Sequence, residues 1–138
     1  MAWAGPLAAV VFIAAVVGFG AQLQGYDQMR HPVSLLGARG VPGGTAFSLL
    51  GFVLPGLLAA IAMLDLILRM PVSAPRPLRV GGQMLLLAAI AFAAMGLFPL
   101  DVDDIENRAR QLHACAWLLW LFAFPAAAIA LRFGAGKA

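Results

Sequence analysis

The chain has 138 residues, of which 63% are hydrophobic and only 11% are charged, and its mean hydropathy is +0.94. This composition excludes a soluble globular domain of this size and favours one transmembrane domain over residues 1–138. The isoelectric point near 10.0 reflects a net charge of only +3. Because the basic residues stand singly at the edges of apolar runs, they indicate membrane anchors rather than nucleic-acid binding.

The first apolar run covers about 3–23, which at ~1.5 Å per residue is long enough to cross a hydrocarbon core of roughly 30 Å. The first charged side chain in the sequence is Asp27, which follows this run. The basic start of a signal peptide is therefore missing, and we expect a true membrane span. A second run covers about 46–68 and contains Pro55. Proline removes one backbone hydrogen bond, so this helix is predicted to be kinked.

The segment between these runs, 24–45, is polar and glycine-rich and is predicted to be a loop. It contains a short apolar patch, too short to span, that we expect to lie on the membrane surface. The residues of this patch are Val33, Leu35 and Leu36.

Two more spans are predicted at about 80–100 and 112–133, after a proline-rich basic connector at 69–79 and separated by an acidic segment. Four apolar runs with short connections predict an all-α fold, an integral membrane four-helix antiparallel bundle. The connector contains no acid, and basic residues near span ends are retained in the cytoplasm. We therefore expect a bacterial inner-membrane protein with both termini in the cytoplasm. The basic residues on that side would be Arg69, Arg76, Arg79, Arg132 and Lys137.

Polar side chains of the first and third loops should meet at the opposite membrane surface, because both loops emerge there. Such a cluster can bind a metal ion, hold a lipid headgroup, or supply an acid and a base. The plainer alternative is that these loop side chains are only solvated. The cluster comprises Asp27, Arg30, His31, Ser34, Asp101, Asp103, Asp104, Glu106 and His113.

Asp101 and His113 are the candidates for a catalytic acid and base within this cluster. Asp101 follows Phe98-Pro99-Leu100 at a helix end, where a carboxylate can be held at the mouth of the bundle. His113 lies about one turn inside the fourth span, and ionisable groups in spans usually face the bundle interior. The alternative for His113 is a structural hydrogen bond to the loop above it.

His31 and Ser34 are separated by Pro32, which favours an extended backbone at His31. The Ser34 hydroxyl is predicted to cap the turn 35–37 rather than to act as a nucleophile, since no G-x-S-x-G motif is present. The two histidines and the single cysteine lack metal-binding spacing, so no cofactor is predicted. A metal site would require the fold to bring both histidines and Asp101 together.

One more charged residue, Asp65, lies inside the second span, four residues before Arg69. This spacing places both side chains on one helix face and predicts an ion pair. The alternative is a proton relay, for which the other predicted spans provide no acid or histidine at the same depth.

The order of these features resembles the DUF998 family of bacterial and archaeal membrane proteins and, more distantly, the Frag1/DRAM family. The resemblance rests on the first span followed by GYDQMRHPVSLLG, a third span ending in GLFPLD, and the histidine that opens the fourth. It implies recurrent roles for Ser34, Gly37, Asp101 and His113, and more spans in typical members than the four expected here. It implies no reaction.

These features favour a non-catalytic protein that works by binding, either a lipid-binding protein or a small accessory subunit of a larger membrane complex. The candidate headgroup-binding residues are His31, Ser34, Gly37, Asp101 and His113. The expected partners are membrane lipids and either a protein partner or a second copy of the chain, with no nucleic acid. The alternative is a lipid-acting enzyme that uses Asp101 and His113, with or without a metal ion.

Overall fold

A computed structural model describes residues 2–136 and contains, within them, four helices long and apolar enough to cross a membrane. No strand occurs in this part of the chain, so the predicted all-α, four-helix fold is confirmed. Lys137, which entered the orientation argument, lies outside the described residues. The four helices are α1 (Ala4–Gln22), α2 (Gly44–Arg69), α3 (Arg76–Leu97) and α4 (Arg108–Ala135).

Each helix packs on the next one in the chain, and α3 and α4 form the most extensive pair. These neighbours are antiparallel, since the connections alternate between the two ends of the bundle. One end of the bundle, the loop side, carries the connections 23–43 and 98–107. The other end, the terminal side, carries the connector 70–75 and both ends of the described chain.

Small residues bring the helices together, as expected where lipid removes any hydrophobic drive for helix association. A Cβ atom on Gly56 of α2 would lie 2.6 Å from the Ala93 nitrogen of α3. On Gly134 of α4 it would lie 2.7 Å from the Leu78 nitrogen of α3. Only glycine fits at these two crossings.

The second helix changes its winding immediately before Pro55. Its residues Ser48–Val53 form a π-helical segment, and regular α-helix resumes at Leu54. Proline has no N–H to donate and its ring crowds the carbonyl of the preceding turn, here that of Gly51. The wider π turn accommodates both defects, and such a segment is a common cause of a helix kink, so the kink expected at Pro55 stays a prediction.

The third and fourth helices begin earlier than the apolar runs indicate. Helix α3 begins at Arg76, inside the proline-rich connector, because a proline such as Pro77 is tolerated in the first turn. It ends at Leu97 rather than near residue 100, since Phe98 precedes Pro99 and has left the helical region, with φ −116° and ψ 83°. Helix α4 begins at Arg108, where the side chain of Asn107 accepts the Ala109 N–H at 2.8 Å.

The apolar patch of the first loop packs on the protein through Leu36, which the expectation of a membrane-surface segment did not include. It forms a short 3₁₀ helix, Val33–Gly37, that packs on α1 and α2. Leu36 is only 2% exposed and belongs to the core cluster with Phe47, Phe52 and Met95. The aromatic core under this loop buries Leu36 more completely than a membrane surface would.

Candidate functional site

His31 is held within its own loop. Its Nδ1 atom accepts the backbone N–H of Asp27 at 2.9 Å, and its ring stacks on Tyr26 with centroids 5.8 Å apart. A nitrogen that accepts carries no proton, so neutral His31 has its proton on Nε2. This ring therefore fixes the turn that follows α1.

Tyr26 places its hydroxyl in the protein interior, where the described residues provide no hydrogen-bond partner. Burial raises the pKa of Tyr26, and the nearby carboxylate of Asp27 raises it further. Tyr26 also packs against Gly20 of α1, whose Cβ would lie 3.2 Å from the tyrosine ring. The ring closes the loop-side end of α1.

Ser34 and Gly37 both lie in the 3₁₀ helix, and Gly37 makes a close contact with α2. The expectation that Ser34 caps this turn is wrong: the turn begins one residue earlier, at Val33, and has no side-chain cap. The Gly37 carbonyl accepts the hydroxyl of Ser48 at 3.2 Å. A Cβ on Gly37 would approach that hydroxyl oxygen to 2.6 Å.

Ser48 was missed in the sequence because it is a single small polar residue inside an apolar run. Ser48 is 5% exposed. A Cβ on Gly96 would lie only 2.5 Å from the backbone carbonyl oxygen of Ser48. The loop, α2 and α3 therefore meet around Ser48. The only signal in the sequence was a hydroxyl within a span, which usually bonds to a neighbouring carbonyl.

His113 is buried, at 5% exposure, and faces the end of α3. Its Nδ1 atom lies 3.0 Å from the Met95 carbonyl oxygen and 2.8 Å from that of Phe98. Because both partners are acceptors, Nδ1 carries the proton and donates to them. The last carbonyls of a helix have no partner within the helix, so His113 caps the C-terminus of α3.

Asp101 organises the acidic loop rather than reaching His113. Its Oδ1 accepts the backbone N–H groups of Asp103 and Asp104, both at 3.2 Å. Its Oδ2 accepts the side-chain amide of Asn107 at 3.3 Å. These bonds shape the turn that leads into α4 and orient the residue that caps it.

The structure thus joins the two loops through the backbone, since the N–H of Arg39 donates to the Leu100 carbonyl at 2.8 Å. Among residues 2–136, no hydrogen bond links the side chains of His31, Asp101 and His113 to one another. The same residues contain no group of three His, Cys, Asp or Glu side chains able to hold a metal ion. The cluster expected from topology is therefore divided into separate structural contacts.

On the terminal side, the predicted ion pair is confirmed. The Nε atom of Arg69 donates to the Asp65 carboxylate at 3.0 Å, across one helical turn of α2. The arginine side chain is largely exposed, whereas the aspartate is mostly covered.

An apolar groove of about 460 Å³ lies in the middle of the bundle and receives residues from all four helices. Helices α1 and α4 flank it, and α2 and α3 form its floor, since α1 packs on α2 and α4 packs on α3. Its volume lies in the range of small-molecule sites, roughly 300–1,000 Å³. The walls include Ala9, Phe12, Ala59, Met63, Ala88, Phe92, Trp120 and Phe124.

Four antiparallel apolar helices with polar contacts confined to their ends define an integral membrane protein. The model of the family described as a protein of unknown function, DUF998, matches residues 6–138. The chain belongs to the DUF998 family, as its motifs predicted. Comparisons with curated proteins and with solved structures gave no match.

Proposed function

We propose that this protein is a non-catalytic membrane protein that binds a lipid, with one acyl chain in the apolar groove. The observation that carries the proposal is the groove itself, which lies at the depth where a bilayer contains only acyl chains. Its lining gives water few hydrogen-bond partners, and apolar cavities of this kind stay dry. In the bilayer core, an acyl chain is the available group that can make dispersion contacts with the walls of the groove.

The polar residues on the loop side support a binding role because their side chains are engaged in holding the fold. His113 caps α3, Asp101 shapes the acidic loop, and His31 fixes the first turn. The alternative, a lipid-acting enzyme with Asp101 and His113 as acid and base, receives no support from this arrangement, since the two side chains serve separate contacts.

The proposal places the protein in a bacterial inner membrane with the terminal side in the cytoplasm. Its support is the basic connector, because arginines near span ends favour that side. Single cysteines at Val72 and Met29, both highly exposed, would test this orientation in cells that carry Cys115→Ser. A membrane-impermeant maleimide should label Met29→Cys in intact cells and Val72→Cys only after lysis, and the reverse pattern would overturn the orientation.

Lipid binding can be measured through Trp120, which lines the groove. Replacing Trp3 and Trp117 by Phe leaves Trp120 as the only tryptophan. In mild detergent, one equivalent of a phospholipid with brominated acyl chains should quench its fluorescence, because bromine quenches only on contact. Without quenching at this ratio, the groove holds no lipid and the proposal fails.

A matched pair of alanines controls for non-specific contact. Ala9 and Ala14 are both exposed on α1, but Ala9 lines the groove and Ala14 does not. Ala9→Phe should fill the groove and reduce quenching strongly, while Ala14→Phe should leave it unchanged. Equal quenching in both variants would show that the lipid lies outside the groove.

A further inference from the structure

The apolar groove has a neighbouring cavity on the terminal side. This cavity of about 420 Å³, the terminal-side cavity, lies between α1 and α2 and shares Gly5, Ala62 and Met63 with the groove. Where the two spaces adjoin, α1 and α2 are close, since a Cβ on Gly5 would lie 4.0 Å from the Ala62 Cβ. The two spaces are therefore adjacent, and the cavity lies nearer the terminal end of the bundle.

The terminal-side cavity has charged residues in its lining. Asp65 and Arg69 both line the terminal-side cavity, and their ion pair stands beside it. The Arg69 Nε atom is committed to Asp65 at 3.0 Å, and the remaining four N–H donors of a guanidinium belong to its two terminal nitrogens. Such a fork matches the oxygens of a phosphate group.

The surrounding charge favours an anion. The described residues of the terminal side include four arginines and a single acid, Asp65. A basic rim of this kind attracts anionic lipid headgroups at the membrane surface. The arginines are Arg69, Arg76, Arg79 and Arg132.

An apolar groove that adjoins a cavity with a cationic rim is complementary to an amphiphile. We propose that the terminal-side cavity is the headgroup site for an anionic phospholipid, whose phosphate binds Arg69 while its acyl chain occupies the apolar groove. This inference rests on the proposed function and adds the headgroup class and the leaflet, that of the terminal side. Asp65 is a positioning residue in it, because its carboxylate holds the guanidinium against the cavity.

The experiment compares two brominated phospholipids that differ only in headgroup, phosphatidylglycerol and phosphatidylcholine. Each is titrated in mild detergent into the protein whose only tryptophan is Trp120. Phosphatidylglycerol should bind more tightly, and Arg69→Gln should weaken it about fivefold, since one basic residue near the membrane surface contributes about that factor. Arg132 is exposed on α4 and does not line the terminal-side cavity. Arg132→Gln removes the same charge and should change the affinity much less.

The outcomes separate the inference from the proposal on which it rests. Because both lipids contain a phosphate and differ in net charge, equal binding by the parent protein overturns the site for an anionic headgroup but leaves the acyl-chain site standing. This comparison needs no substitution at Arg69. Equal weakening by Arg69→Gln and Arg132→Gln also overturns it, in favour of diffuse attraction. If neither lipid quenches Trp120, the proposed function fails as well.

Discussion

The loop side and the middle of the bundle are built in opposite ways. On the loop side, α2 and α3 approach so closely that a Cβ on Gly96 would lie 2.5 Å from the Ser48 carbonyl oxygen. In the middle, α2 and α3 still meet closely at Gly56, but α1 and α4 leave a groove of about 460 Å³ beside them. Where hydrophobic association is unavailable, contact depends on small residues and hydrogen bonds. The loop side has both, and the groove, open to lipid, can stay unfilled by protein.

The largest effect on this comparison should come from Gly96. A leucine there would meet the Ser48 carbonyl and the side chains of Phe52 and Val53, all within 2.8 Å of the new Cβ. Overpacking of this kind costs about 1–3 kcal/mol and sometimes more, and we expect the upper end. The measurement is unfolding by a denaturing detergent followed by circular dichroism. Gly18→Leu, with nothing within 4 Å, is the control and should unfold like the parent.

The next largest effect should follow from removing the cap on α3. His113→Ala leaves the Met95 and Phe98 carbonyls without their donor, at a cost of about 1–3 kcal/mol for buried groups. His113→Asn should recover part of this loss, because its amide can donate to the same region. The same unfolding assay checks both variants. If His113→Ala is as stable as the parent protein, the histidine cap does not stabilise the fold. That result would favour a functional role for His113.

A smaller, paired effect is expected at Gly37 and Ser48. Gly37→Ala should destabilise because its Cβ would lie 2.6 Å from the Ser48 hydroxyl oxygen, and Ser48→Ala should cost about 1 kcal/mol for the lost hydrogen bond. Since Ser48→Ala also removes the colliding oxygen, the double variant should be more stable than the sum of the two changes predicts. Strict additivity in a double-mutant cycle would show that these residues do not touch.

The smallest effect should appear at high pH through Tyr26, the single tyrosine of the chain. Its pKa is raised by burial and by Asp27, so the folded protein retains the proton longer than the unfolded chain does. The associated stability is complete below the ordinary tyrosine pKa of about 10 and is lost as pH rises through the higher folded value.

Ultraviolet absorbance of the tyrosinate follows this titration directly. Asp27→Asn removes the carboxylate charge but retains the oxygen that accepts the Met29 N–H at 2.8 Å. It should therefore lower the pKa of Tyr26 without opening the turn. An ordinary titration in the parent protein would mean that the hydroxyl is solvated.

The sequence predicted the helices well because span length and hydropathy are local properties. It misplaced the start of α3 because prolines, taken as markers of a connector, also fit a first helical turn. His113 was found in the sequence because an ionisable residue in a span is conspicuous. Ser48 was missed, because its partners Gly37 and Gly96 are distant in the sequence and only the fold brings them to Ser48.

The apolar groove was also beyond the sequence. Its walls are small and aromatic residues taken from all four helices, such as Ala9, Ala59 and Phe124. Each of these residues is ordinary in a membrane span, and nothing in their spacing distinguishes a wall from a packed interface. The space arises from how α1 and α4 are placed on the α2–α3 pair, which is a tertiary property.

Native mass spectrometry of the protein extracted from its own membrane is the sharpest test of an acyl chain in the apolar groove. We expect a 14.4 kDa chain that retains one phospholipid, with the lipid lost in Ala9→Phe and kept in Ala14→Phe. A lipid-free chain, or a lipid retained equally by both variants, would contradict an acyl chain in the apolar groove. A stoichiometric protein in place of the lipid would instead assign the groove to a partner helix.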